Sequence, residues 1–288
     1  MKKFVIFTDS ACDLSAEFLS ELDIEFLSLT FRFSDDNLEY SNGDMSVASF
    51  YERMRGGGVA KTSAVNSQSF LEAFKKIFDD ENDILYVGFS SGLSTTFNSA
   101  RMAANELVNE YPNRKVRVVD SLCASAGLGL LLKMVADARD SGATLDEAAD
   151  YAESIKMSVC HWFTVDDLVY LKRGGRVSPT VAFVGNVLGI KPVMHVDNDG
   201  HLVNCTKVRG RKTAINALAD KYTELAKTPD RGYVYISHGD CKKDAELLAE
   251  IIKTRHGNEV ELITDVGPVI GAHSGPGTLA LFFIGKER

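Results

Sequence analysis

The segment with the clearest chemical character is Ser90-Ser91-Gly92-Leu93-Ser94, a small polar loop inside the stretch Ile84–Val108. Before it, Ile84–Phe89 is an apolar run of strand length. After it, Phe97, Ala100, Ala104, Leu107, Val108 and Tyr111 recur at helical spacing. The pattern is strand, tight loop, helix. Such a loop offers serine hydroxyls and free backbone N–H groups at a helix N-terminus, where the aligned peptide dipoles favour an anion. A carboxylate or phosphate suits that chemistry. A second reading stays open, in which Ser94 only caps the helix by satisfying an orphan amide.

The elements around the loop alternate between strand and helix. Phe4–Phe7 reads as a buried strand ending in Thr8-Asp9-Ser10, and Ser15 opens a short helix. Ile24–Phe33 reads as one strand. Residues 34–60, with Gly56-Gly57-Gly58, read as a polar excursion from the core, and Lys61-Thr62-Ser63 follows. Asn66 or Ser67 caps a helix whose Phe70, Leu71, Phe74, Ile77 and Phe78 share a face. Val116–Val119 is a strand ending in Asp120-Ser121. An apolar helix over 124–138 stops at Ser141-Gly142, and Thr144 with Glu147 forms a capping box. These repeats predict parallel βαβ units. The ends Thr8-Asp9-Ser10, Ser90-Ser91 and Asp120-Ser121 then share the sheet edge at which ligands of such folds sit.

The second half changes character. Asp166-Asp167-Leu168 opens a short helix closed by Gly174-Gly175, and Ser178-Pro179 starts another to about Leu188. Lys191–Val196 and His201–Val208 flank Asp197-Asn198-Asp199-Gly200, a hairpin signal. A helix over 212–226, a strand over 233–236 leading to a helix, and strands at 259–263 and 278–284 follow. Between the last two lies the loop Gly267–Gly277, which contains His273. The expectation is an α/β chain of two domains: residues 1–157 with a parallel sheet, and 158–288 as α+β with a mixed sheet.

The 288 residues are 45 % hydrophobic and 25 % charged, a globular composition. No apolar run approaches a membrane span, and residues 1–8 read as a first strand rather than a leader. The five cysteines and six histidines are scattered without metal-type spacing, so no metal site or cofactor is expected, and reduced thiols point to the cytoplasm. The net charge of −8 argues against nucleic acid. That charge is uneven: residues 1–157 carry net −10 and residues 158–288 net +2. The basic segments Lys172–Arg176 and Lys207–Lys212 suit either an acidic partner or a solvated face.

Several motifs in order resemble the DegV family, bacterial fatty-acid-binding proteins that include the FakB type. They are Thr8-Asp9-Ser10, Lys61-Thr62-Ser63, Gly92-Leu93-Ser94 with Asn98-Ser99-Ala100, Asp120-Ser121, Leu168–Arg176, Lys191-Pro192 and Gly271–Gly277. Ala64-Val65 stands where the family often has Gln-Pro, and Thr95 where it usually has glycine. The resemblance implies a two-domain α/β protein enclosing one long-chain fatty acid, its carboxylate near the domain interface on Thr62, Ser94 and His273. Ser63, Asn98 and Arg209 are expected to support that site. The family further implies a carrier rather than a catalyst, with a separate kinase converting the bound acid to an acyl phosphate. Arg173, Arg176 and Arg211 are then candidates for facing that kinase. Burying about 14 methylenes at about 0.8 kcal/mol each gives roughly 11 kcal/mol of gross driving force, reduced by the cost of ordering and association. The helix face over 124–132 and the run 181–190 are candidates to line the tunnel, or ordinary core.

A competing class is a serine hydrolase with Ser94 as nucleophile and His273 as base. The chain has no GxSxG elbow and no obvious acid to orient His273. Nucleotide binding finds no Walker A or GxGxxG motif after a strand. Cys123 is either a reactive thiol or a small packing residue.

Overall fold

The computed structural model describes residues 4–177 and 189–288. The expected helix from Ser178 to about Leu188, and most of the candidate tunnel run 181–190, lie outside them. Strands β1 (Phe4–Asp9), β2 (Ile24–Leu27), β6 (Asp83–Gly88) and β7 (Val116–Asp120) form a four-stranded sheet in the order β2-β1-β6-β7. Every pairing in it is parallel. The order reverses direction between β1 and β6, which puts the loop after β6 at the crevice such a sheet offers to ligands. Helices α1 (Ala16–Glu21), α3 (Ser67–Asp79) and α4 (Thr96–Glu110) lie in its connections, and α6 (Leu145–Ile155) packs on β6 and β7. Ser15, Asn66 and Thr144 cap α1, α3 and α6 through side-chain oxygens, and Thr144 with Glu147 completes the capping box.

The stretch expected as a single strand over Ile24–Phe33 is divided. Ser28 Oγ donates to Leu29 O at 3.0 Å, and Leu29 N donates to Ser10 Oγ at 3.0 Å. These bonds take the backbone out of the parallel ladder. The chain re-enters as β3 (Thr30–Phe33) in a separate antiparallel sheet, β4-β3-β5, with β4 (Tyr40–Ser41) and β5 (Ala60–Ser63). Residues 34–60 are accordingly no polar excursion. Helix α2 (Val47–Arg55) buries Phe50, Tyr51 and Met54, and the Phe50 ring meets Phe31 and Phe33 at 5.3 and 5.6 Å.

The second sheet has six strands in the order β10-β9-β8-β13-β11-β12. These are β8 (Val159–Thr164), β9 (Ile190–Val196), β10 (Leu202–Arg209), β11 (Val234–His238), β12 (Leu262–Asp265) and β13 (Leu279–Ile284). Only the β11–β12 pairing is parallel, so the sheet is mixed. Strand β8 sits near its middle, although no strand is expected there from the sequence. The expected division near residue 157 falls in the 3-10 turn Lys156–Ser158 just ahead of it. Cys160 and Trp162 point to one face, with α8 (Arg211–Leu225) and α9 (Lys242–His256); His161 and Phe163 point to the other.

That other face is covered by α5 (Ala126–Asp140), a helix from the first half of the chain. It packs against β8, β11 and β13. Every residue from Ala126 to Leu132 is buried, so both halves share one core. Gly127 allows this approach: a Cβ there would overlap His161 Nε2 and the Phe282 ring. Replacing glycine by alanine inside a helix ordinarily adds about 0.5–1 kcal/mol. Gly127→Ala should instead destabilise by about 1–3 kcal/mol through overpacking, seen as a lowered urea midpoint at unchanged slope.

Candidate functional site

A cavity of about 480 Å³ lies between the two halves, within the usual range for small-molecule sites. Its walls are mostly apolar: Leu29, Phe89, Phe163, Val266, Val269 and Phe282 among them. Phe163 and Ala280 pair across β8 and β13, and Ala280 faces Ser237 on β11, so the second sheet supplies one wall. Ala64, Ser91 and Thr95 line the cavity and are exposed, which locates its mouth.

Polar groups gather near that mouth. Thr62 comes from β5, Ser94 from the loop before α4, and His273 from α10 (Pro268–Ser274). The segment 267–277, expected as a loop, thus contains a helix with proline in its first turn. Thr62 Oγ1 and His273 Nε2 are 2.8 Å apart. His273 Nδ1 is buried without a hydrogen-bond partner among the described residues, and it lies against Gly174, where any Cβ would overlap it. An unpaired buried acceptor is cheaper than an unpaired donor here, which favours the proton on Nε2. His273 then donates to Thr62, and the Thr62 hydroxyl hydrogen is free for a ligand. Burial, followed by the Arg176 charge, pushes the His273 pKa down to about 4, so the ring is neutral near pH 7.

Arg176 lines the cavity. Its Nε donates to Leu93 O at 3.0 Å and its Nη1 to Gly174 O at 2.5 Å. One side chain thereby fixes both the serine loop and the glycine turn over His273. Arg176 was expected to face a partner; the cavity claims it because those two carbonyls converge on its guanidinium. Arg209, expected beside His273, is exposed at the end of edge strand β10 and is not among the lining residues. Arg211 starts α8 and is held by Asp244 at 2.8 Å and Asp166 at 3.6 Å. Arg173 is exposed at the end of α7 (Val169–Arg173), over the Tyr170 ring. Ser63 points away from Thr62 on β5 and is exposed, and neither Ser63 nor Asn98 lines the cavity.

Ser94 Oγ accepts from Thr96 N at 3.2 Å and shares a hydrogen with Thr96 Oγ1 at 2.9 Å. It therefore serves the helix start as well as lining the cavity. The other strand-end groups do backbone work. Thr8 Oγ1 donates to Val87 O and Ser121 Oγ to Gly88 O. The Asp9 carboxylate accepts from Tyr86 Oη, Phe89 N and Ala11 N. Of the hydroxyls expected along that edge, Ser91 reaches the cavity directly. On the helix face 124–132, Ala124 and Ser125 line the cavity, and Leu128–Leu132 are core. Burial pushes the Cys123 thiol up to about 11, which makes it a packing residue rather than a nucleophile.

A further buried polar group has no signature in the sequence. Asp13 accepts from Ser125 Oγ and from Gly267 N at 3.0 Å, while Ser125 Oγ lies 2.9 Å from Ser237 Oγ. Burial pushes Asp13 up to about 7. Its sequence position after Thr8-Asp9-Ser10 carries no signal of this, because its partners are 112 and 254 residues away.

These features define a class: an α/β protein with a mostly apolar cavity between its two halves and hydrogen-bonding side chains at the mouth. The family described as "Uncharacterised protein, DegV family" matches residues 3–286, and the chain belongs to that family. A DegV domain-containing protein of Clostridium perfringens is 42 % identical over 291 residues, covering 100 % of this chain and 99 % of the relative. A DegV lipid-binding protein of Thermotoga maritima has a TM-score of 0.83 at 31 % identity, covering 99 % of each chain. A DegV family protein of Thermus thermophilus, described for its fatty-acid binding, has a TM-score of 0.88 at 26 % identity over 99 % of this chain and 100 % of that one. Among the described residues no helix is long and apolar enough to cross a membrane.

The lowered His273 pKa fixes the sign of a pH effect. The unfolded histidine takes up its proton near pH 6.5, and the folded one near 4. The neutral ring therefore adds stability above pH 6.5 that is lost as pH falls toward 4. Asp13, with its raised pKa, acts in the opposite direction between about pH 4 and 7. Urea unfolding between pH 7 and 4 should show a shallower acid loss in His273→Gln than in wild type.

Proposed function

We propose that this protein binds one long-chain fatty acid, with its tail in the cavity and its carboxylate on Thr62, Ser94 and Arg176, while His273 holds the Thr62 hydroxyl for it. The observation that carries the reading is the gathering of these polar groups at the open end of a mostly apolar cavity. A carboxylate taken out of water needs such partners, and charge-assisted bonds are the stronger kind. With His273 neutral, Arg176 supplies the positive charge. Fatty-acid and lipid binding in the Thermus and Thermotoga proteins supports the same ligand class.

The protein acts as a cytoplasmic carrier and not as a catalyst, and it presents the head group to a separate fatty acid kinase that forms an acyl phosphate. The exposed Ala64, Ser91 and Thr95 around the mouth give a second protein access to the carboxylate. Arg173 and Arg209 are exposed cations available to such a partner. The serine-hydrolase alternative gains nothing from the geometry. Among the described residues His273 bonds Thr62 rather than Ser94, and no carboxylate orients its Nδ1.

Native mass spectrometry of the purified protein should reveal a bound long-chain fatty acid, and a ligand-free protein that also fails to bind added acid refutes the reading. Ser94→Ala and Thr62→Ala should each weaken binding by about 1–3 kcal/mol, the usual effect of leaving a buried acceptor unpaired, measured by displacement titration. Acyl esters should not turn over. Hydrolysis abolished in Ser94→Ala would reverse the assignment.

A further inference from the structure

Ser94 ends a tight turn whose base is Ser90. Leu93 N and Ser94 N both donate to Ser90 O, at 3.0 and 3.1 Å. A displacement of Ser90 is therefore passed on to Ser94. Ser90 is buried and is held from two sides. Its N donates to Cys123 O at 3.0 Å, in the loop after β7, and its Oγ donates to Gly200 O at 2.9 Å, in the β9–β10 hairpin. The hairpin turn lies directly against the serine loop. A Cβ at Gly92 would overlap Asp199 O, and one at Gly200, where φ is 77°, would overlap Ser90 Oγ.

The loop after β7 is tied to the serine loop a second time, because Ser91 N and Leu122 N both donate to Asp120 Oδ1 at 3.2 Å. Leu122 has φ 54°, the left-handed region that a leucine disfavours, so surrounding contacts must impose the conformation.

Arg288 supplies those contacts and joins the two supports of Ser90. Its Nη1 donates to Leu122 O at 2.8 Å and to Asp197 O at 3.3 Å. Its Nη2 reaches Cys123 Sγ at 3.3 Å, and its Nε donates to Val159 O at 3.2 Å at the start of β8. A planar fork with donors on three nitrogens can hold these positions together, and a single ammonium cannot. Arg288 is not among the residues that line the cavity, so any effect it has on a ligand passes through the backbone it holds.

We propose that Arg288 is a positioning residue for the head-group site: by joining the loop at 121–125 to the turn at 197–200 it fixes Ser90, and through Ser90 it sets where the Ser94 hydroxyl meets the carboxylate. The proposal rests on the fatty-acid reading above.

A double-mutant cycle read by stearate titration tests it, using full-length wild type, Arg288→Ala, Ser94→Ala and the double variant. Residues that act as one unit give losses that do not add. Arg288→Ala should bind stearate about tenfold more weakly than wild type, the size of one impaired hydrogen bond to a charged group. The same change made in Ser94→Ala should alter binding by less than about twofold. Ethylguanidinium should restore binding to Arg288→Ala and leave the double variant unchanged. Arg288→Lys keeps the charge without the fork and should lose about threefold, again only where Ser94 is present; it carries the test if Arg288→Ala does not fold. Losses of the same size in both backgrounds, or no loss in either, overturn the proposal. Wild type that binds no stearate overturns the fatty-acid reading itself.

Discussion

A carboxylate enclosed beside an apolar tail must meet donors at the point where water leaves it, and the Thr62–His273 hydrogen bond is where this chain meets that demand. The bond spans 211 residues and joins β5 of the small antiparallel sheet to α10, which packs on that sheet and on α7. Its geometry depends on two neighbours. Gly174 admits the imidazole, because any side chain at that position would overlap Nδ1. Arg176 then holds the carbonyls of Leu93 and Gly174. The serine loop, the glycine turn and the histidine are thus fixed together, which is how a binding site keeps its donors in place before the ligand arrives.

The polar residues at the strand ends divide into two populations that look alike as sequence. Thr8, Asp9 and Ser121 complete the hydrogen bonding of neighbouring strands, while Ser91 and Ser94 face the cavity. The first group keeps the second in position: the Asp9 carboxylate holds Phe89 N, immediately before the serine loop. Burial raises the Asp9 pKa, and its backbone and tyrosine donors oppose the rise.

Local chemistry was legible where local chemistry decides the outcome. The caps Ser15, Asn66 and Thr144, the hairpin at Asp197–Gly200 and the βαβ alternation all follow from residue type and spacing. Strand β8 was not legible, because Val159–Thr164 interrupts its apolar residues with His161 and carries no alternation. It is buried on both faces, so burial and not periodicity makes it a strand. Helix α10 was hidden by Gly271 and the glycines that flank it; Gly271 is there for close packing, since a Cβ would crowd Tyr51 and Phe50. Arg176 was indistinguishable from Arg173 within one basic cluster, since only tertiary structure turns one inward. The division of Ile24–Phe33 was equally non-local, because Ser10, far back in the chain, draws Leu29 out of register.

Helix α5 belongs to the first half by sequence and to the second sheet by packing. The β8, β11 and β13 face has its apolar cover only when a segment synthesised earlier returns to it. The second half has a core of its own on the outer face of its sheet, but the inner face is unprotected until both halves are present. On the ribosome the first half must wait with an apolar helix exposed while the partner strands emerge. The contacts that close this core are distant in sequence, which slows folding by the same measure that makes unfolding cooperative.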